Sequence, residues 1–306
     1  MSSCLCCGRP LDAEQRYHSR CLRGLFGTAR IPAIPFGLAD IPAQVRKIGA
    51  RMSISGVQIK LSVRIDPDTW TLEAAAKGGT YILKPEPNLY PELPQNENLC
   101  MNFASELRMP VPPHGLFSMA DRNICYIVRR FDRLEVGTKL HKETMFQVLN
   151  AEDKYRGSLE QIGKAIRRHA TNIGLDSLDF FERVVLCFLI GNGDMHLKNW
   201  AFLTSETGEA RLAPCYDLVS SKVYLPDEED TALSMGGKRN KLRREDFEAL
   251  ADYLQIDERA RENSIRRLSE FKSTMLDMCA ESQLPHPWQE KLLTVIESRH
   301  ERVEGG

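Results

Sequence analysis

No apolar stretch in this chain approaches the length of a membrane span. The longest, Val184 to Ile190, falls far short of the roughly 20 residues a helix needs to cross a bilayer. Charge of one sign is also lacking: 41 basic against 42 acidic residues leave a net charge of −1, which excludes a surface built throughout to coat nucleic acid or anionic lipid. MSSCLCCGRP contains no apolar signal core, so a cytoplasmic protein with no membrane partner is expected. Internal repeats and low-complexity tracts are missing too, which removes solenoid and fibrous architectures. What is present is a globular composition, 42% hydrophobic and 27% charged over 306 residues. A chain of this length buries a core without disulfide staples. Its nine cysteines therefore read first as metal ligands or buried thiols.

The pattern changes along the chain. Residues 1–50 form a Cys-rich segment, with Cys4, Cys6, Cys7 and Cys21, and then a proline-punctuated connector through Pro32, Pro35 and Pro42 that is expected to be extended. Residues 51–133 read as a small β-rich lobe. Val57 to Ile65 alternates, Tyr81 to Leu83 and Ile124 to Val128 are β-prone, and a helix over about Gln95 to Arg108 is stopped by Pro110. Residues 134–306 read as a helical lobe. Apolar residues at three- and four-residue spacing predict helices over Glu143 to Asn150, Ser158 to Ala170 and Ser177 to Ile190, with Gly174 as a stop.

The segment richest in chemistry is Gly191-Asn192-Gly193-Asp194-Met195-His196-Leu197-Lys198-Asn199, between an apolar helix end and a strand over Trp200 to Thr204. Phosphoryl transfer from ATP needs a carboxylate to orient and deprotonate the attacking hydroxyl, and an amide oxygen to hold Mg2+ beside it. Asp194 and Asn199 have that spacing. A turn at Ser205 to Gly208 and a short strand near Ala210 to Leu212 lead to Asp217. Expected at a strand end, Asp217 is a second carboxylate able to bridge the metal and the phosphates. Upstream, Ser53-Ile54-Ser55-Gly56-Val57-Gln58 has the small residues of a loop whose N–H groups can approach a triphosphate. Lys84 closes a strand where an amine can neutralise phosphates, and Glu97 on the next helix can orient it. Val128 to Arg133 offers a hinge. Taken singly, each feature also has an ordinary reading as a turn, a solvated strand-end lysine or a capping loop.

At the N-terminus, Cys4-x2-Cys7 and His18-x2-Cys21 form two knuckle-like pairs suited to tetrahedral Zn2+, and Gly8 permits the tight turn. Four protein ligands would make that zinc structural. Cys6 is left over, and a reduced terminus packed on the fold is the plainer alternative. The remaining cysteines read as buried fillers. His196 either shapes the catalytic loop or is a structural hydrogen-bonder. Lys238 to Arg244, rich in basic residues, reads as a solvated helix start or a nucleic-acid contact.

Together GVQIK, YILKPE, Asn96-Glu97, RRFDR, GNGDMHLKN and PCYDLVSS resemble the HipA family, serine/threonine kinase toxins of bacterial toxin–antitoxin systems. The resemblance implies an α+β, two-lobed protein-kinase-like fold, with a small β-rich N-lobe and a large α-helical C-lobe, here preceded by the short Cys-rich segment. It implies ATP and Mg2+ as cofactors, Asp194 as catalytic base, Asn199 and Asp217 as magnesium ligands and Lys84 as the phosphate-binding lysine. Ser55, Gly56, Val57 and Lys60 would lie on the nucleotide side, Phe131 would give adenine a backbone contact and Asp132 would lie near the ribose. Ser53 and Ser55 are implied autophosphorylation positions. The implied target is a translation component of the aminoacyl-tRNA synthetase class. The implied partners are a HipB-like helix-turn-helix antitoxin, through which alone DNA is met, and a small HipS-like protein matching the N-terminal subdomain of longer members. Arg129 departs from the glutamate common in the family. Two other functions remain open on the residues: a kinase-shaped module that binds nucleic acid or a partner with vestigial catalysis, and a small-molecule or lipid kinase.

Overall fold

The computed structural model describes residues 3–12, 14–47, 58–134 and 138–304. The expected phosphate loop and autophosphorylation positions, Ser53, Ser55, Gly56 and Val57, lie outside the described residues. The fold is mixed α and β. The chain divides into two compact units, one of Met1–Asn102, Pro112–Thr138 and Glu281–Leu284, the other of Phe103–Val111, Lys139–Ala280 and Pro285–Gly306.

The first unit is built on an antiparallel five-stranded sheet. Its N-terminal segment contains α1 (Ser19–Phe26) and α2 (Ile41–Lys47), and the strands are β1 (Leu61–Asp66), β2 (Thr71–Ala74), β3 (Tyr81–Pro85), β4 (His114–Ser118) and β5 (Ile124–Arg129). The order across the sheet is β2-β1-β3-β5-β4. Alternation puts Leu61 and Val63 of β1 in the core, where they join Leu83 of β3 and Cys125 and Ile127 of β5. The helix between β3 and β4, α3 (Leu93–Glu106), buries Asn96, Glu97, Cys100 and Met101. It ends where Arg108 turns left-handed at φ 58, with Pro110 just beyond.

Two expectations for this unit need correction. Within the described part of the alternating run the strand begins at Leu61, so Lys60 precedes β1 and is exposed. The connector is not extended throughout: Ile41 and Pro42 open α2, since proline fits a first helical turn, where its missing N–H costs nothing. The segment also pairs with the sheet edges. Ala33 donates to Trp70 O (3.1 Å) and accepts from Leu72 N (2.8 Å), and Leu5 O accepts from Leu116 N (2.9 Å).

The second unit starts with β6 (His141–Thr144) and the single turn α4 (Met145–Val148), followed by α5 (Leu159–His169) and α6 (Ile173–Leu189). A reciprocal cap fixes the start of α5: Ser158 Oγ accepts from Gln161 N (3.3 Å) while Gln161 Oε1 accepts from Ser158 N (3.0 Å). Strands β7 (Ala201–Thr204) and β8 (Ala210–Leu212) complete a small antiparallel sheet in the order β6-β7-β8. Helices α7 (Arg244–Tyr253), α8 (Glu258–Glu270), α9 (Lys272–Ala280) and α10 (His286–Glu304) follow. The largely buried α6 supplies the core. Phe180 meets Trp200 edge-on at 4.9 Å and Phe188 meets Phe247 at 5.0 Å. Here too the pattern misled in places. Glu143 lies in β6, not a helix, because its neighbours pair with β7. Gly174 sits in the first turn of α6, which Asn172 caps by accepting from Leu175 N. Among the described residues no helix is long and apolar enough to cross a membrane.

Candidate active site

In the sheet unit, Lys84 points inward from β3 and is only 2% exposed. Its Nζ donates to Glu97 Oε1 on α3 and lies 5.4 Å from the ring centre of Tyr126, its cross-strand neighbour on β5. A lysine this deep survives only with its charge paired, and Glu97 pairs it. Just past β5, Asp132 is buried between two guanidinium groups. Arg130 donates to both of its oxygens (2.9 and 2.8 Å), and Arg133 to one (2.8 Å). Phe131 lies between Arg130 and Asp132. Arg129 donates to Gly24 O of α1 at 3.3 Å.

The helical unit carries the aspartate–asparagine loop. At the end of α6, Gly191 turns left-handed at φ 67, and Asn192 N donates to Cys187 O at 2.8 Å. This six-to-one closure turns the chain sharply out of the helix. Gly193 is then pressed on Glu228 so closely that a Cβ there would meet Glu228 Cδ at 2.5 Å and Glu229 O at 2.7 Å. Its N–H donates to Ser221 Oγ (2.8 Å), which itself donates to Glu228 Oε2 (2.5 Å). Backbone bonds hold the rest: His196 N to Asp194 O (2.8 Å), Asn199 N to His196 O (2.9 Å) and Leu197 N to Lys154 O (3.0 Å).

Within this frame Asp194 is half-buried and its Oδ1 accepts from the Tyr155 hydroxyl at 2.8 Å. Burial, then the Asp194 carboxylate, push the Tyr155 phenol up, so it keeps its proton. Asn199 donates through Nδ2 to Asp194 O at 3.0 Å, a bond that ties its side chain to the loop. Asp217 does not sit at a strand end as expected: it lies beyond β8 in a left-handed conformation at φ 57, a region Asp tolerates better than most residues. The charges of Asp194 and Asp217 both reach His196. Burial nevertheless pushes the His196 pKa down, and its Nδ1 is buried with no hydrogen-bond partner among the described residues. Burial also raises the Glu228 pKa, with the Asp194 charge adding to the effect. Asn199 offers a carboxamide oxygen and Asp217 a carboxylate, the kinds of hard oxygen donor that Mg2+ takes.

Sequence reasoning named Asp194, Asn199 and Asp217 but missed Tyr155, Ser221 and Glu228. Tyr155 is 39 residues from Asp194, in a polar loop whose composition carries no signal of that partner. The basic run from Lys238 to Arg244 is engaged in ion pairs, Lys238 with Asp246 (2.7 Å) and Arg244 with Glu248 (2.7 Å) and Glu262 (2.6 Å).

A sheet unit with a buried lysine–glutamate pair, joined in one chain to a helical unit with this loop, is the fold class of protein kinases. Residues 52–275 match the HipA-like C-terminal domain, and the chain belongs to that family. A Haemophilus influenzae protein named "Putative kinase" is 34% identical over 206 residues, 63% of this chain and 60% of that protein. A Sinorhizobium fredii protein, "Putative kinase Y4dM", is 31% identical over 210 residues, 62% of this chain and 50% of the other. The chain thus spans only part of the length of these relatives. Among solved structures, HipA from the Shewanella oneidensis complex of HipA, HipB and operator DNA superposes with a TM-score of 0.73 at 20% identity, covering 89% of this chain and 72% of that one. The Helicobacter pylori proinflammatory kinase CtkA gives 0.51 at 15% identity, covering 79% and 93%.

Proposed function

We propose that the chain is an ATP- and magnesium-dependent serine/threonine protein kinase that acts as a growth-arresting toxin. The observation that carries this reading is the loop around Asp194. Its carboxylate already accepts a hydroxyl at 2.8 Å, the interaction a base makes with the acceptor hydroxyl before taking its proton. Asn199 and Asp217 are the residues to hold magnesium, which when bound neutralises charge on the transferring phosphate. Lys84, oriented by Glu97, is assigned to the nucleotide phosphates, and Phe131 to adenine. Asp132, with its oxygens engaged by Arg130 and Arg133, is assigned to the ribose side through its backbone or by exchanging one guanidinium.

On the side of partners, the Shewanella neighbour is described with HipB and operator DNA. For this chain that supports a HipB-like helix-turn-helix antitoxin, with DNA contacted only through it. A HipS-like small protein is proposed as the counterpart of the N-terminal subdomain, and an aminoacyl-tRNA synthetase in the cytoplasm as the target. Autophosphorylation at Ser53 or Ser55 would add about −1.5 to −2 charges near the triphosphate and slow the enzyme.

Transfer of labelled phosphate from ATP by the full chain, set against Asp194→Gln, is the test. Wild type is expected to label protein, with label in the Ser53–Ser55 peptide, and the variant to fall by roughly 10²–10⁴-fold. Labelling of a metabolite or lipid alone, or equal labelling by both forms, would overturn the assignment.

A further inference from the structure

The N-terminal segment gathers four metal-ligand side chains that play no part in phosphoryl transfer. The thiols of Cys4, Cys7 and Cys21 and a ring nitrogen of His18 all lie within 4.8 Å of one another. Cys7 Sγ is 3.3 Å from His18 Nδ1 and Cys21 Sγ is 4.0 Å from it. A tetrahedral zinc, with Zn–S near 2.3 Å and Zn–N near 2.0–2.1 Å, sets its ligands about 3.3–3.8 Å apart. The cluster is therefore within a small contraction of that shape, and its cysteines are all free thiols.

The surroundings are those of a built site. The first pair sits on a tight turn in which Gly8 N donates to Cys4 O (2.8 Å) and Cys4 N to Arg9 O (2.9 Å). Gly8 holds φ 70, a conformation most side chains resist. His18 N donates to Cys4 Sγ at 3.3 Å, a bond that favours the thiolate. On the far side of the ring, His18 Nε2 lies 3.1 Å from Pro10 O. Donation there fixes the proton on Nε2 and leaves the Nδ1 lone pair facing the three sulfurs, as the outer partner of a metal-bound histidine does. Cys6, the odd cysteine, is used otherwise: it packs over Gly115, where a Cβ would meet its Sγ at 2.5 Å.

We infer that Cys4, Cys7, His18 and Cys21 bind one structural Zn2+ that locks the N-terminal segment onto the sheet. Binding releases the thiol protons to solvent with no change in oxidation state, and four protein ligands leave no position for a substrate. The lock acts on β4, an edge of the sheet that would otherwise present unpaired backbone groups. Leu5 O accepts from Leu116 N (2.9 Å), and the Tyr17 hydroxyl donates to Leu116 O (2.8 Å). Asn102 Nδ2 donates to Cys6 O (3.0 Å), and Tyr17 stacks on Phe117 at 5.0 Å.

Elemental analysis of the untagged full chain tests this without any assay of phosphate transfer, so it stands or falls apart from the kinase reading. One zinc per chain is expected in wild type and in Cys6→Ser, and none in Cys7→Ser. Should Cys7→Ser fail to fold, cobalt exchanged into wild type serves instead. Thiolate-to-cobalt charge-transfer bands with tetrahedral d–d bands are expected. Less than a tenth of a zinc per wild-type chain, retention of zinc by Cys7→Ser, an iron chromophore, or an octahedral cobalt spectrum would each overturn the site.

Discussion

The two units treat charge differently. In the sheet unit, ionisable groups are closed off inside the protein: Lys84 against Glu97, and Asp132 between Arg130 and Arg133. Where the helical unit buries a charge for structural ends it does the same, giving Asp230 both Arg299 and Arg302. The loop after α6 is the exception. Asp194, Asn199 and Asp217 are only half-buried, and much of what fixes the loop comes from its own backbone and from Tyr155, Ser221 and Glu228. A balanced interior charge chiefly supports stability, whereas a half-buried carboxylate met by a neutral hydroxyl, as Asp194 is by Tyr155, is suited to a ligand. Substitutions in the sheet unit should therefore cost folding free energy first, and substitutions around the loop should cost activity first.

The sharpest way to break that contrast is Lys84→Met. Glu97, 1% exposed, would be left charged or forced to protonate, at a cost of about 3–5 kcal/mol. Adding Glu97→Leu removes the orphaned charge and should restore most of the stability, because a buried pair replaced by apolar groups is often neutral. Phosphate transfer should stay lost in both. Chemical denaturation read beside labelled-phosphate transfer separates the two effects. A single variant that is active and fully stable would show that the pair serves neither purpose.

His114 on β4 comes next. It is buried, with Nδ1 2.9 Å from Pro112 O and Nε2 3.2 Å from Asn102 Oδ1. Burial pushes its pKa down to about 4, against the opposing pull of Pro112 and Asn98. The folded state thus keeps the ring neutral while the unfolded chain takes a proton below about pH 6.5. The contribution is fully present above that value and is lost as pH falls toward 4, to a total of about 3 kcal/mol. Urea unfolding at pH 7 and pH 4.5 should show the loss in wild type and a smaller one in His114→Gln. Equal slopes would refute it.

How much of this was readable in the sequence follows from where each signal resides. The pattern marked β1 by alternation, because that strand buries one face, and β3 and β5 as β-prone runs, because each of those strands holds consecutive buried residues. It missed β2 and β4, the edge strands: β2 is mostly half-buried and β4 follows two prolines and carries Gly115. The helical unit's α5 and α6 were legible from spacing, although the start of α6 was not, since Gly174 lies inside its first turn. The zinc-ligand types and the aspartate–asparagine spacing were legible because they are local. The hydrogen bond from Tyr155 and the wedge of Glu228 on Gly193 were not, since they join residues that only the tertiary fold brings together.

Gly193 tests the wedge. A methyl at this position must displace Glu228 and a backbone oxygen, Glu229 O at 2.7 Å, for about 1–3 kcal/mol of overpacking. Because that strain falls on the Asp194 loop, Gly193→Ala should lose more activity than its melting midpoint suggests. Activity falling only in step with the folded fraction would place the loop among ordinary structural turns.

The smallest expected effect is the most informative about the base itself. Tyr155→Phe removes one hydroxyl from a partly exposed site, so stability should barely move. What changes is Asp194 Oδ1, which loses a 2.8 Å hydrogen bond, worth about 1 kcal/mol. Two outcomes then separate two roles. If the tyrosine only holds the carboxylate in place, kcat falls with little change in KM. If its hydroxyl occupies the position of the incoming acceptor, removing it lowers KM for the protein substrate, because nothing need be displaced before the acceptor binds. A variant unchanged in kcat and KM would mean that the bond to Asp194 is incidental to the loop's chemistry.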